Sequence, residues 1–402
     1  MTRRVHLIAT IILIGTVLMI GWHYFQPAQL PRPYSVSTFL FNPADRFMDF
    51  FNDFNRAAHF AVDPLFAIDY TPWAHFLVTL TVPLGAWLAF GLELLAFGAT
   101  LSFMLVRYFL PHVEGGAAKV QQFFILAALS YPVIFLIDRG NHEMLVFVLL
   151  FWFLHLYYNS RSPWTGVLLA AAIAIKFYPA TLLVLLLADR RYRDALIASA
   201  AAIGMLLVGV LGVSLTTHVS VASVVAYTQT TLFGPASHHA FDLAAGGVQH
   251  GHSLWSVFLV LGSLLRVPLA TLGGYSTPYG LACLVLFAIV SVYVIFVERR
   301  PWARVLLLVI CAIALPYTSA DYTLIHLFLP MMMLVAARRS PWDKVVAGML
   351  ALLFVPMDFL YSHASEVSTS VIIYPMLLLG LVVATMWSGL ILRQGREVRV
   401  AS

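Results

Sequence analysis

The chain has 402 residues, of which 61% are hydrophobic and only 10% charged, with a net charge of +5. A water-soluble fold could not cover that much apolar surface, so the composition calls for a polytopic membrane protein. The positive balance does not signal nucleic acid, because the basic residues gather at the ends of apolar runs on one side of the membrane.

The chain opens with "MTRRVHLIATIILIGTVLMIGW", a charged start and an apolar run with no small-residue cleavage site after it, which reads as an uncleaved first span. Further apolar segments fall at 84–107, 121–138, 143–158, 192–213, 278–297, 303–318, 322–338, 342–359 and 371–392. The segment 165–188, "TGVLLAAAIAIKFYPATLLVLLLA", is broken in its middle by Lys-Phe-Tyr-Pro. It reads as two half-length helices in a hairpin, with Pro179 ending the first. The stretch 252–265 is too short to cross and is expected in the outer interface. The fold class is therefore all-α: a transmembrane helical bundle of about ten full spans, a broken hairpin and outer-face amphipathic helices, forming one domain over 1–402.

Every Lys and Arg except Arg32, Arg46, Arg56, Arg139, Arg266 and Lys176 falls in loops on the side of the N-terminus. That bias places both termini in the cytoplasm of a cell whose plasma (inner) membrane the chain crosses many times. The long outer loops, 23–83 and 214–277, are expected to cap an active site. Cys283 and Cys311 lie inside apolar runs and suggest neither a disulfide nor a Cys-based metal site.

In the first outer loop, "FNPADRFMDFFNDF" sets Asp45, Asp49 and Asp53 four residues apart, on one helical face. Asn42-Pro43 reads as the helix start, which puts Asp45 in the first turn and leaves Asp49 and Asp53 beyond the reach of the helix dipole. Asp49 is flanked by Phe47, Met48, Phe50 and Phe51, and desolvation there would make it the better base. Lys176, at the tip of the broken hairpin, is a costly intramembrane charge whose partner is an anion such as a lipid phosphate, or Glu93. The turn "DRGNHE" offers Arg139 for bidentate phosphate recognition and Asn141 beside it. "SADYTLIH" carries Asp321 and His326. The His-rich loop 237–253, with His238, His239, Asp242, His250 and His252, lacks any zinc signature such as H-E-x-x-H.

Four stretches together resemble the GT-C superfamily of membrane glycosyltransferases, and within it glycosyltransferase family 87. They are "DRFMDFFNDFNRAAHFAVDPLFAIDYTPWAHFL", "DRGNHEMLVFVLLF", "GVLLAAAIAIKFYPATLLVLLLADRRYR", and the pair "HGHSLWSVF" and "YTSADYTLIHLFLP". Where such proteins usually show Asn-Gln-Ser-Leu or Asn-His-Ser-Leu, this chain has Gly251-His252-Ser253-Leu254 after His250. The resemblance implies inverting transfer of a hexose or pentose, mannose favoured, from a polyprenyl-phosphate-sugar to a lipid, glycan or protein acceptor at the outer face. It implies an Asp as general base, with Asp49 first and Asp45 second. Lys176, Arg139 and His326 would meet the donor phosphate, and Asn141, Tyr178, Asp321 and His252 the substrates. No cofactor is called for beyond the lipid-linked sugar, a divalent metal stays open, and the partners are these substrates and membrane lipids. The competing readings are an oligosaccharide ligase or polymerase, and a transporter or flippase, which would show paired repeats and central charges in several spans.

Overall fold

The computed structural model describes residues 2–25, 47–59, 70–233, 251–337, 342–357 and 370–401. Its helices, in chain order, begin with α1 (Thr2–Phe25), α2 (Met48–His59), α3 (Pro72–Thr81), α4 (Ala86–Met104), α5 (Gly116–Phe124) and α6 (Tyr131–Arg139). Next come α7 (Glu143–Asn159), α8 (Trp164–Ile175), α9 (Leu183–Ala188), α10 (Tyr192–Thr217) and α11 (Val221–Phe233). The last are α12 (Leu254–Leu264), α13 (Leu269–Gly273), α14 (Ser276–Phe296), α15 (Pro301–Ala314), α16 (Phe328–Ala336), α17 (Trp342–Leu352) and α18 (Ser370–Ala401). Among the described residues the only strand-like pairing is an isolated bridge between Gly251 and Ala320.

Five stretches are long and apolar enough to cross a bilayer: Arg4–Gly21, Ala86–His112, Tyr192–Thr217, Thr271–Phe296 and Ser370–Ile391. The pair Gly116–Leu129 and Tyr131–Arg139, bent by 47°, makes a sixth if it is one span. The expectation of about ten full spans is therefore corrected. The segments expected at 143–158, 303–318, 322–338 and 342–359 contain shorter helices: α7, α15, the 3-10 turn Asp321–Leu327 running into α16, and α17. A helix of 14 residues is only about 21 Å long, against a hydrocarbon core of about 30 Å. Protein surrounds one of them completely: from Trp302 to Ala314 every residue of α15 is buried. A helix hydrophobic on all sides reads like a span whether lipid or protein covers it.

The described residues fall into two compact units, one drawn from Met1–Ser37, Leu101–Phe135 and Gly246–Ser402, the other from Thr38–Thr100 and Leu136–Ala245. In the first unit, Arg4 of α1 forms a 2.5 Å ion pair with Asp343 of α17, both side chains buried. Arg300 binds Glu298 and reaches Ser388 of α18 at 2.8 Å, tying the turn before α15 to the long last helix. The stretch 252–265, expected at the interface, forms α12, which buries Trp255, Val257, Leu259 and Val260 and exposes Leu261 and Leu264.

In the second unit α10 is the platform on which α8 and α3 pack. Segment 165–188 breaks as its sequence suggests, but earlier than Pro179. Helix α8 ends at Ile175, Lys176 has an extended backbone, and Pro179 sits inside a 3-10 turn, Tyr178–Leu182, that leads into α9. The chain doubles back here. Tyr157 bonds the Leu185 carbonyl and Asp189 at the end of α9, and Arg191 reaches both the Tyr157 carbonyl and Thr165 at the start of α8. Thr71 caps α3, accepting from Ala74 N–H at 3.2 Å, and its hydroxyl donates to the Ala174 and Ile175 carbonyls at the end of α8. One side chain thus satisfies orphan groups at two helix ends.

Helix α3 lies in a notch of α10 made by Gly209 and Gly212. A Cβ at Gly209 would stand 2.6 Å from Trp73 Cα, and one at Gly212 2.5 Å from Phe76 Cε2. Backbone cannot yield as a side chain can, so Gly209→Ala is expected to lose about 1–3 kcal/mol of stability. Gly204, on the same helix, has nothing within 4 Å of its Cβ position. Gly204→Ala should therefore gain about 0.5–1 kcal/mol from helix propensity. Thermal unfolding of the two variants in detergent reads the opposite signs directly.

Candidate active site

The site is built on α2, the turn Gly140–His142, and the break after α8, all within the second unit. Helix α2 begins at Met48, after Phe47 with φ of 61°. Asn42, Pro43 and Asp45 lie outside the described residues. Asp49 therefore stands in the first turn of α2, which corrects the expectation that the dipole no longer reaches it. Unpaired N–H groups there favour negative charge. The aromatic residues around it anchor the helix: Phe47 and Phe50 pack on Phe90 of α4, with ring centroids 4.7 and 5.2 Å apart, and Phe51 on Trp87 at 4.6 Å.

The turn beneath α2 depends on Gly140. Its φ is +63°, and a Cβ would meet Phe50 Cβ at 3.0 Å, Phe47 Cα at 3.2 Å and Phe90 at 3.2 Å. Phe47 N–H donates to the Asp138 carbonyl just before it. Only glycine allows both the left-handed backbone and this close approach.

The next residue, Asn141, is the hub. Its amide nitrogen donates to Asp49 Oδ2 at 2.8 Å and to Tyr70 Oη at 2.9 Å. Its oxygen accepts from Glu143 N–H at 3.1 Å and from Lys176 Nζ at 3.2 Å. These four bonds use the whole capacity of a carboxamide and orient it: nitrogen to the carboxylate, oxygen to the ammonium. Lys176 also pairs with Glu143 at 2.7 Å and sits 5.0 Å from the Tyr70 ring centre, while Tyr178 donates to the other Glu143 oxygen. Glu143 is fully buried, whereas 17% of the Lys176 side chain is exposed, so the cation is the partner an incoming anion can meet.

His142 takes the other direction. Its Nδ1 lies 3.1 Å and 3.3 Å from the two Glu93 oxygens, and its Nε2 lies 3.8 Å from Asp53 Oδ2. Burial pulls the His142 pKa down, but the Glu93 charge and hydrogen bond, helped by Asp53, outweigh it and hold the pKa above the usual histidine value. A small apolar cavity of about 60 Å³, lined by Phe50, Val78, Leu145 and Ile175 among others, adjoins this pair.

The structure thus brings together Asp49, Asn141, Lys176 and Tyr178 of the residues expected from sequence. Arg139 lies in the same turn but is buried against Asp138, with Nε and Nη2 each 3.1 Å from one oxygen. Lys176 pairs with Glu143, not Glu93. Glu143, Tyr70, Glu93 and His142 escaped the sequence reading as site residues, though a carboxylate two positions past Asn141 was a visible partner for an intramembrane lysine.

His252 and Asp321 meet in the first unit. Asp321 Oδ1 lies 3.1 Å from His252 Nδ1 and its Oδ2 accepts from Tyr131 at 3.0 Å; His252 Nε2 lies 3.1 Å from Ser319 and 3.0 Å from Thr323. A hydroxyl–imidazole–carboxylate run of this order also occurs in nucleophilic hydrolases. Here all its members are buried and two hydroxyls share one nitrogen, the pattern of a closed polar clasp. His326 is buried in the same 3-10 turn. Among the described residues no group of three or more His, Cys, Asp or Glu is arranged to hold a metal ion.

Removing the carboxylate from Glu143→Gln should cost roughly 2–3 kcal/mol, less than the loss expected for a fully buried pair because Lys176 is partly exposed. Adding Lys176→Met to that variant should recover at least about 1 kcal/mol in thermal unfolding, and the Lys176→Met single variant completes the double-mutant cycle that reads the coupling.

The model of glycosyltransferase family 87 matches residues 60–319. Tyr70, Arg139, Asn141, Glu143, Lys176, Tyr178 and His252 fall inside the match; α2 with Asp49 precedes it, and Asp321 and His326 follow it. Neither the curated proteins nor the solved structures searched returned a match. With well over half its length matched and several helices apolar enough to cross a bilayer, the chain belongs to glycosyltransferase family 87 and is a membrane glycosyltransferase.

Proposed function

We propose that the chain transfers a sugar, mannose favoured, from a polyprenyl-phosphate donor to an acceptor hydroxyl at the outer face of the plasma membrane, with inversion and with Asp49 as general base. The observation that carries the reading is the Asn141 bridge: one carboxamide holds the Asp49 carboxylate at one end and the Lys176 ammonium at the other. A base and a cation at fixed separation are what glycosyl transfer from a phosphate needs.

In the proposed step the acceptor oxygen bonds to the anomeric carbon as its proton passes to Asp49. The bond from that carbon to the phosphate oxygen breaks, and polyprenyl phosphate leaves with the electron pair. Lys176, the exposed partner of a buried carboxylate, meets the phosphate and stabilises the charge that grows on it. Asn141 and Tyr70 hold the base and the cation in register. The acceptor is a lipid, glycan or protein hydroxyl, and the distribution of Lys and Arg supports a topology with both termini in the cytoplasm.

The test is transfer of radiolabelled sugar from polyprenyl-phosphate-mannose in membranes overproducing the chain. Wild type should yield labelled product, and Asp49→Asn, expressed to the same level, should lose roughly 10²- to 10⁴-fold in rate. Full activity in Asp49→Asn would remove Asp49 from the base role.

A further inference from the structure

Helix α2 presents two carboxylates one turn apart, and two consecutive residues of the turn beneath it each face one of them. Asn141 bonds Asp49 at 2.8 Å, and His142 faces Asp53 at 3.8 Å. We propose that His142 is a positioning residue for Asp49: as an imidazolium held by Glu93 it draws in Asp53, seats α2, and so sets where the Asp49 carboxylate stands. This rests on the reading of Asp49 as the base.

The geometry selects the charged ring. Glu93 occupies Nδ1 with both oxygens, which fixes a proton there. A bare lone pair on Nε2 would then face the Asp53 carboxylate and repel it, whereas an N–H attracts it. Nε2 is buried and has no hydrogen-bond partner among the described residues, and its 3.8 Å separation from Asp53 is about 1 Å longer than a charge-assisted hydrogen bond. The protonated Nε2 therefore faces Asp53 as an ion-pair partner across that gap. The groups facing His142 are Glu93 on α4, Asp53 on α2 with Arg56 3.7 Å behind it, and Lys176 past the end of α8. The rings of Tyr70 and Phe50 pack against it at 5.3 and 5.7 Å. Two anions bracket the ring, and the two cations lie behind their own carboxylate partners.

The sign follows from the raised pKa. The imidazolium clasp holds below the folded His142 value, which lies above the usual histidine value, and is lost as pH rises through it. A misplaced base loses rate while donor binding is spared, so the effect falls on kcat and not on the donor KM.

The experiment uses the full chain in nanodiscs and two readouts: kcat and donor KM against pH, and hydrogen exchange of the α2 amides, corrected for the intrinsic pH dependence. In wild type, kcat should fall and α2 exchange should quicken together above the His142 pKa. His142→Gln should lose roughly 10- to 100-fold in kcat at a pH below the wild-type His142 pKa, keep its donor KM within about 2-fold, and show no alkaline limb in either readout. Asp53→Asn should do the same, and it keeps the test alive if His142→Gln fails to fold. Unchanged exchange protection of α10 certifies each variant. An alkaline limb that survives in both variants, or α2 exchange equal to wild type, overturns the proposal. If Asp49→Asn keeps full activity while α2 exchange still responds to His142, the base assignment has failed and the positioning role goes with it; the persisting exchange response marks that outcome.

Discussion

The arrangement of the second unit follows from one costly group, the ammonium of Lys176 at a break in an apolar hairpin. A charge in such surroundings must be paired and hydrogen-bonded or it destabilises the fold. Glu143 supplies the opposite charge, but the pair alone would leave lone pairs and protons unsatisfied. Asn141 and Tyr178 complete it. The pairing requires the start of α7 to lie against the end of α8, and the Thr71 cap brings α3 to the same point. Helix α2 docks on this framework through its aromatic face and through Asp49. The site residues meet here because the lysine has to be satisfied.

The first unit meets a similar demand by a different route. Asp321 is fully buried, and His252, Tyr131, Ser319 and Thr323 close around it until no polar atom of the imidazole lacks a neighbour. The result joins three distant parts of the chain and pins the start of α12 through the His252 N–H bond to the Ser319 carbonyl. Both clusters are buried polar networks, but they differ in openness. The clasp is closed on all sides, whereas Lys176 keeps part of its side chain exposed. Closed networks of this kind specify a packing arrangement, while an open one is available to a substrate.

Much of this was legible from residue order, and the exceptions share a cause. The five long helices, the family, and the broken segment around Lys176 all show in local pattern, because an uninterrupted apolar run or a lone lysine within one is a local fact. The short helices α7, α15, α16 and α17 look like spans in the sequence because hydropathy does not distinguish a lipid neighbour from a protein one. The start of α2 was misread because Asn42-Pro43 is a strong local signal, while the turn at Phe47 is held by a backbone bond to Asp138, 91 positions away (138 − 47). Residue order offers Glu93 as an acid for Lys176, whereas the structure pairs it with Glu143. Which one it takes depends on how α4, α7 and α8 meet, and neighbouring residues carry no trace of that. The same holds for His252 and Asp321, separated by 69 positions.

The saturation of Asn141 limits how this site can drift. An Asp in its place would lose both donors and set a carboxylate against Asp49, while a Leu would remove a hydrogen bond from the Lys176 ammonium and leave the Glu143 N–H without its side-chain acceptor. A longer amide would have to move α2 away from Gly140, where the contacts already stand near 3 Å. No single replacement satisfies four neighbours at once. A chain that gave up the carboxylate on α2 would free one donor of the amide, while Tyr70, Lys176 and the Glu143 N–H would still hold the residue at 141 to an amide.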